Sequence, residues 1–196
     1  MIKIEKWLKN GWNLYKDNFR GLFFLYVIYI TVGLLTRYMP LLSLVVMPSF
    51  FGSIIIITLR KIRSKDQEKV FFWDFNDLFS GYAFFFPLLI SSMLVGLFIL
   101  LGVIAFIIPA IIVASFYLFA VPIIVDQKMD FWGAMETSRK RVMGNLLGFI
   151  ILTLTLFSLI IIGTAFLGIG ILITLPISIN TLVYAYLDVF EDAIMQ

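Results

Sequence analysis

The chain has no cysteine and no histidine, and only 14% of its 196 residues are charged. Without cysteine there can be no disulfide, no thiolate nucleophile and no sulfur-ligated metal. Without histidine the commonest metal ligand and the usual general base near neutral pH are also gone. An average soluble domain has about 25% charged residues, and the shortage here is matched by an excess of apolar ones. Apolar side chains make up 62% of the chain and aromatic ones 17%, with a mean hydropathy of +1.05. A compact chain of this size buries only about 70% of its unfolded surface, so much of this apolar material must face lipid. The expectation is an integral membrane protein.

Charge is sparse in total and uneven in placement. A net charge of +3 lacks the dense basic stripe that nucleic-acid phosphates require. Residues 1–20 carry seven dispersed charges, unlike the basic start and apolar core of a cleavable leader. With no cysteine, and Ile2 where myristoylation needs glycine, no lipid anchor is expected either. Insertion is therefore assigned to the helices themselves.

A membrane helix needs about 20 apolar residues. Four runs lack Asp, Glu, Lys and Arg: 21–36, 38–59, Leu78 to Val125 and Val142 to Leu187, of 16, 22, 48 and 46 residues. The first two read as a hairpin turning at Arg37 and Pro40, and each longer run divides into two spans. Breakers place the inner turns at Gly102 to Pro109 and Gly163 to Gly170. The expected fold is an all-α polytopic bundle of six transmembrane helices in three hairpins, with spans at 21–37, 41–59, 82–101, 105–125, 145–164 and 169–187. The first run is short, so hairpin 1 (21–59) is read either as a full crossing completed by Tyr38 and the stem of Arg37 or as re-entrant. Hairpins 2 (81–125) and 3 (145–187) follow, with charged segments at 1–20, 60–80 and 126–144 and a tail at 188–196.

Of the 15 Lys and Arg residues, 14 lie in 1–20, 60–69 and 128–141. Only Arg37 lies on the opposite side. The positive-inside bias then places both termini and both basic loops in the cytoplasm, with three nearly loopless turns outside. The hairpins begin near residues 21, 81 and 145, each after an aromatic, polar, glycine-containing leader. An internal threefold repeat and the ordinary flanks of any hairpin protein both fit this spacing. In the third leader Asp130 is an expected N-cap, Phe131, Met135 and Val142 form a stripe, and Glu136 and Lys140 form a pair. In the first, Ile4, Trp7, Leu8, Gly11 and Tyr15 keep helical spacing, the pattern of a helix in the headgroup plane.

Apart from Arg37 at a span end, the spans contain no ionisable Asp, Glu, Lys or Arg, which argues against proton coupling, cation conduction and voltage sensing. Ser91, Ser92, Ser115, Thr153, Thr155, Ser178, Asn180 and Thr181 are the polar residues at depth. They read as interhelical hydrogen bonds of about 0.6 kcal/mol each, or as the lining of a path for a neutral or amphipathic solute. Ser178, Asn180 and Thr181 form the candidate intramembrane polar site, because an amide has four hydrogen-bonding positions to satisfy. Pro48, Pro87, Pro109, Pro122 and Pro176 mark helix starts, turns or kinks, and broken helices can also build transport sites. Arg60, Lys61, Arg63 and Lys65, with Arg139, Lys140 and Arg141, are candidate contacts for anionic lipid, although topology-setting charge alone accounts for them. The loop acids Asp74, Asp77, Asp126 and Asp130 come with no phosphate loop or metal-ligand spacing.

Several stretches carry a family resemblance: DLFSG at 77–81, Gly102 with IIPA ending at Ala110, PIIVDQKMDFWGAMETSRK at 122–140, GILITLP at 170–176 and AYLDVF at 185–190. Through them the segment from Phe71 to Phe190 resembles an uncharacterised bacterial family of polytopic integral membrane proteins. That family is related to the membrane domain of glycerophosphodiester phosphodiesterases. The resemblance implies a stand-alone inner-membrane protein in which Asp126, Asp130, Ser138 and Asp188 act as helix caps and interface contacts. It implies no hydrolase activity, since catalysis in such enzymes belongs to the attached soluble domain.

The functional expectation is a non-enzymatic, multi-pass protein of the bacterial cytoplasmic membrane that organises the bilayer or serves a protein partner. No cofactor, metal or nucleic acid is expected. The alternatives are a small transporter or scramblase for lipid-like or neutral solutes, and an intramembrane enzyme dependent on a loop acid.

Overall fold

The computed structural model describes residues 2–64, 73–165 and 170–194, with side chains described as far as Glu191. Every regular element among them is a helix: α1 (Ile4–Asp17), α2 (Phe19–Thr36), α3 (Pro40–Arg63), a 3-10 helix (Phe75–Phe84), α4 (Phe85–Ala105), α5 (Ile107–Phe116), α6 (Ala120–Gln127), α7 (Phe131–Met143), α8 (Leu146–Ala165) and α9 (Ile171–Ile194). Six stretches are long and apolar enough to cross a membrane: Phe19–Thr36, Pro40–Arg63, Phe75–Ala105, Ile107–Gln127, Leu146–Ala165 and Ile171–Glu191. The chain is an all-α, multi-pass membrane bundle. At about 1.5 Å per residue, the 18 residues of α2 reach about 27 Å, longer than the charge-free run alone suggests. Helix α3 likewise continues past Leu59 to Arg63, because charged side chains do not interrupt a helix that has already left the apolar layer.

The second hairpin turns more sharply than the Gly102 to Pro109 window implies. Phe106 alone, in extended backbone, separates α4 from α5. Gly102 permits this, since a Cβ there would stand 2.8 Å from Ala110 Cα. The turn of the third hairpin brings Gly163 against Gly170, and its residues 166–169 lie outside the described residues. The fourth span is broken over residues 117–119, between α5 and α6. Pro122 supplies the cause: it has no N–H for the carbonyl four residues earlier. Ser138 of α7 repairs the break, its hydroxyl donating to Phe116 O at 2.7 Å and accepting from Phe119 N at 3.2 Å.

Each leader packs on the second helix of a neighbouring hairpin, in cyclic order: α1 on α9, the 3-10 helix on α3, and α7 on α6. A small residue makes the approach each time. A Cβ on Gly11 would meet Thr181 Oγ1 at 2.6 Å, and one on Gly81 would meet Ser53 N at 2.7 Å. Ser138 plays the corresponding part at Phe116. Ser53, Phe116 and Thr181 are spaced by 63 and 65 residues, and ten residues beyond each come Arg63, Asp126 and Glu191. The amphipathic face read in α1 is thus covered by protein: Trp7, Gly11 and Tyr15 are buried, in a helix that packs extensively on α9.

Burial concentrates in the charged-end half of the spans. The core takes Leu22, Leu25 and Tyr26 from α2, Ile54, Ile55, Ile57 and Leu59 from α3, Leu88 from α4, Ile123 to Val125 from α6, Phe149, Leu152 and Leu156 from α8 and much of the stretch from Ile177 to Phe190 from α9. The opposite halves expose Leu34, Leu35 and Leu41 in hairpin 1, Leu101, Ile104 and Ile107 in hairpin 2, and Ile161 and Ile162 in hairpin 3. The hairpins therefore join one another at the charged end and present lipid-facing walls beyond it.

Ser138→Ala leaves a carbonyl and an N–H at the α5–α6 break without their partner. The expected loss is about 1–3 kcal/mol, read as a lowered unfolding midpoint in detergent. Ser80→Ala, which removes only a local bond to Asp77 O, serves as the control and is expected to change the midpoint little. Equal midpoints for parent and Ser138→Ala would contradict the assigned role.

Candidate functional site

The last turn of α3 is basic, as suits the negative end of a helix dipole, and from it Arg63 reaches two other hairpins. Its Nη1 and Nη2 donate to the two carboxylate oxygens of Asp126, Nη2 at 2.8 Å, and its Nε donates to Glu191 Oε1 at 2.8 Å. The Tyr186 hydroxyl donates to Asp126 Oδ2 at 2.7 Å and accepts from Gln127 Nε2 at 3.1 Å. These residues come from the second helices of all three hairpins. The Arg63 side chain is 42% exposed and that of Asp126 15%, so the cluster lies partly open at the charged end. A cavity of about 430 Å³ opens beside it, lined by Arg60, Arg63 and Asp126 among others.

Other charges complete the surface. Arg60 pairs with Asp77 at 2.6 Å, and Lys3 with Asp188 at 3.4 Å. Asp77 also accepts from Asp74 N, closing a capping box at the start of the 3-10 helix. Arg141 donates to Val189 O and lies over the Phe190 ring at 6.0 Å. Glu136 holds Arg139 at 2.7 Å and Lys140 at 3.4 Å. Its carboxyl is pulled down to about 2, first by the Arg139 hydrogen bond. Asp130 caps α7 through Trp132 N and Gly133 N.

The candidate lipid contacts are thus engaged within the protein: Arg60, Arg63, Arg139, Lys140 and Arg141 all have protein partners. Lys61 borders a cavity with Asn10, Asp17 and Tyr184. Lys65 lies outside the described residues. The four positions singled out by the family resemblance all occupy contacts: Asp126 in the cluster, Asp130 at a cap, Ser138 at the helix break and Asp188 on Lys3. Composition and periodicity pointed to neither Tyr186 nor Glu191. The signal available for Glu191 was its spacing, ten residues after Thr181 as Arg63 is after Ser53.

Two of the polar residues at depth in α9 bond back within their own helix. Ser178 donates to Thr174 O at 2.8 Å, and Thr181 to Ile177 O at 2.7 Å. Asn180 is fully buried, with its amide donating to Gly11 O at 3.3 Å and its Oδ1 unpartnered. Helix α1 closes over it. Among the described residues, no group of three His, Cys, Asp or Glu side chains could hold a metal ion.

No family model, no curated protein and no solved structure matches the chain.

Arg63→Ala strands the Asp126 carboxylate beside Glu191 and is expected to cost about 1–2 kcal/mol, reduced by the partial exposure of the guanidinium. In the Arg63→Ala, Asp126→Ala double variant much of that loss should return. A strictly additive thermodynamic cycle in detergent would contradict the coupling.

Proposed function

We propose that this chain is a non-enzymatic protein of the bacterial cytoplasmic membrane that organises the surrounding bilayer, with its charged end and both termini in the cytoplasm. The carrying observation is the location of the core, which joins the hairpins at one end and leaves the rest of each as an apolar wall. Such a body orders lipid along its far half while a compact, ion-paired head lies in the headgroup layer. The charge placement supports the orientation through the positive-inside bias. The resemblance to bacterial polytopic membrane proteins supports the setting, and the polar face at the charged end leaves room for a cytoplasmic or membrane protein partner.

The burial of Asn180 beneath Gly11 supports this reading over a transporter, because the amide acts as glue between two helices. The engagement of Asp77, Asp126 and Asp130 in pairs and caps supports it over an enzyme that uses a loop acid.

Reconstitution into phosphatidylcholine vesicles with deuterated acyl chains tests the proposal. Chain order is expected to change with protein density, with no transbilayer movement of lipid analogues or uncharged solutes above protein-free vesicles. Asn180→Leu should behave as the parent in both assays. Unchanged chain order, or a flux that Asn180→Leu abolishes, would overturn the reading.

A further inference from the structure

A second cavity at the charged end, of about 340 Å³, is lined by none of the Arg63 cluster residues. Its volume falls within the range of small-molecule sites, about 300–1,000 Å³. Three elements supply its polar lining: Lys3 and Trp7 from the start of α1, Arg141 and Asn145 from the junction of α7 and α8, and Asp188 from α9. Ile2 closes an apolar side by packing on α8 at Gly148. The polar groups are mostly donors. Arg141 gives one N–H to Val189 O, and among the described residues no carboxylate pairs with it. Asn145 Oδ1 accepts from Gly148 N at 3.3 Å, which leaves the amide N–H groups to donate. Lys3 meets Asp188 at 3.4 Å, longer than the about 2.7–2.9 Å of a tight charge-assisted bond. Trp7 is 2% exposed and its Nε1 has no acceptor. An indole N–H can only donate, and leaving it buried without a partner is unfavourable.

We infer that this cavity is a binding site for an anionic phosphate group, carried by a lipid headgroup or free in solution. The charge balance selects the ligand. Lys3 offsets Asp188, the one carboxylate among the described lining residues, so Arg141 leaves the lining net positive. Gly144 and Asn145 directly precede α8, a helix of 20 residues, and add the positive end of its dipole. A phosphate brings several acceptor oxygens to one centre, which the fork of an arginine, an amide and an indole N–H can share. A cation would have to displace Lys3 from the one carboxylate. A neighbouring cavity shares Trp7 and Asp188 but has Lys6 and Glu191 where this one has Lys3 and Arg141, so its charges balance unfavourably for an anion. The site goes beyond the proposed organising role and stands whether or not bilayer order responds to the protein.

The test follows the unfolding midpoint of the full chain in non-ionic detergent along two titrations. One adds sodium phosphate against sodium chloride of equal ionic strength, and the other adds dihexanoyl phosphatidic acid against dihexanoylglycerol, which lacks the phosphate. A ligand bound by the folded chain raises the midpoint saturably. Saturation with inorganic phosphate assigns the free ion, and saturation confined to phosphatidic acid assigns a headgroup. In the arm that saturates, Arg141→Gln and Trp7→Phe are each expected to weaken apparent affinity by about tenfold. Asp188→Asn should tighten it by up to about fivefold, and Lys6→Gln, in the neighbouring cavity, should leave it unchanged. Trp7→Phe keeps an aromatic ring and removes only a donor without a partner, so it reports on the site even if Arg141→Gln lowers the ligand-free midpoint. A parent that responds in neither arm overturns the inference. So does unchanged affinity in both Arg141→Gln and Trp7→Phe, or affinity weakened by Asp188→Asn.

Discussion

One guanidinium organises the charged end of this protein. Arg63 stands at the end of the second helix of hairpin 1 and binds carboxylates at the ends of the second helices of hairpins 2 and 3. The planar fork of arginine carries five donors in fixed directions, so a single side chain can serve two carboxylates, which the compact ammonium of lysine cannot do with the same geometry. Without it Asp126 and Glu191 would be like charges brought together by the fold. Tyr186 and Gln127 extend the network inward, so the contact between hairpins continues from a partly wet ion pair into the apolar core.

The cyclic order of the leaders gives this cluster its logic. Leader, small residue, second helix and terminal charge recur three times, and terminal positions at matching spacing converge where the hairpins meet. Close approach depends on Gly11, Gly81 and the Ser138 hydroxyl. In lipid, helices gain little from hydrophobic association, so backbone proximity and interhelical hydrogen bonds decide which surfaces join. Between hairpins the side-chain ion pairs lie at the charged end, while Gly102 and Gly163 bring helices close within their own hairpins at the far turns. The far halves carry large apolar side chains, which lipid solvates as well as another helix would.

Much of the architecture was legible in the sequence because lipid imposes a coarse rule. Runs free of charge must cross, and the clustering of the remaining charge tells one side from the other. The six spans and the Asp130 cap follow from that rule and from capping chemistry. Three features did not. The α5–α6 break needs Pro122 together with a serine 16 residues later, a long-range pair that periodicity does not reveal. The face of α1 reads equally well as lipid-seeking or protein-seeking, and only the fit of Gly11 against Thr181 decides between them. Arg60 and Arg63 look like headgroup contacts until Asp77, Asp126 and Glu191, distant in sequence, are brought alongside.

The central claim is that the hairpins are held together chiefly at the charged end and are joined less tightly beyond it, where α5 still packs on α8. The absence of cysteine makes it directly measurable, since introduced cysteines can be spin-labelled without background. Pulsed dipolar spectroscopy in bilayers would compare one pair at the far tips, Tyr38→Cys with Phe106→Cys, and one at the charged end, Lys61→Cys with Lys128→Cys. The account predicts a narrow distance distribution at the charged end and a broader one at the tips that shifts with acyl-chain length. Distributions equally narrow at both ends and insensitive to lipid would contradict it.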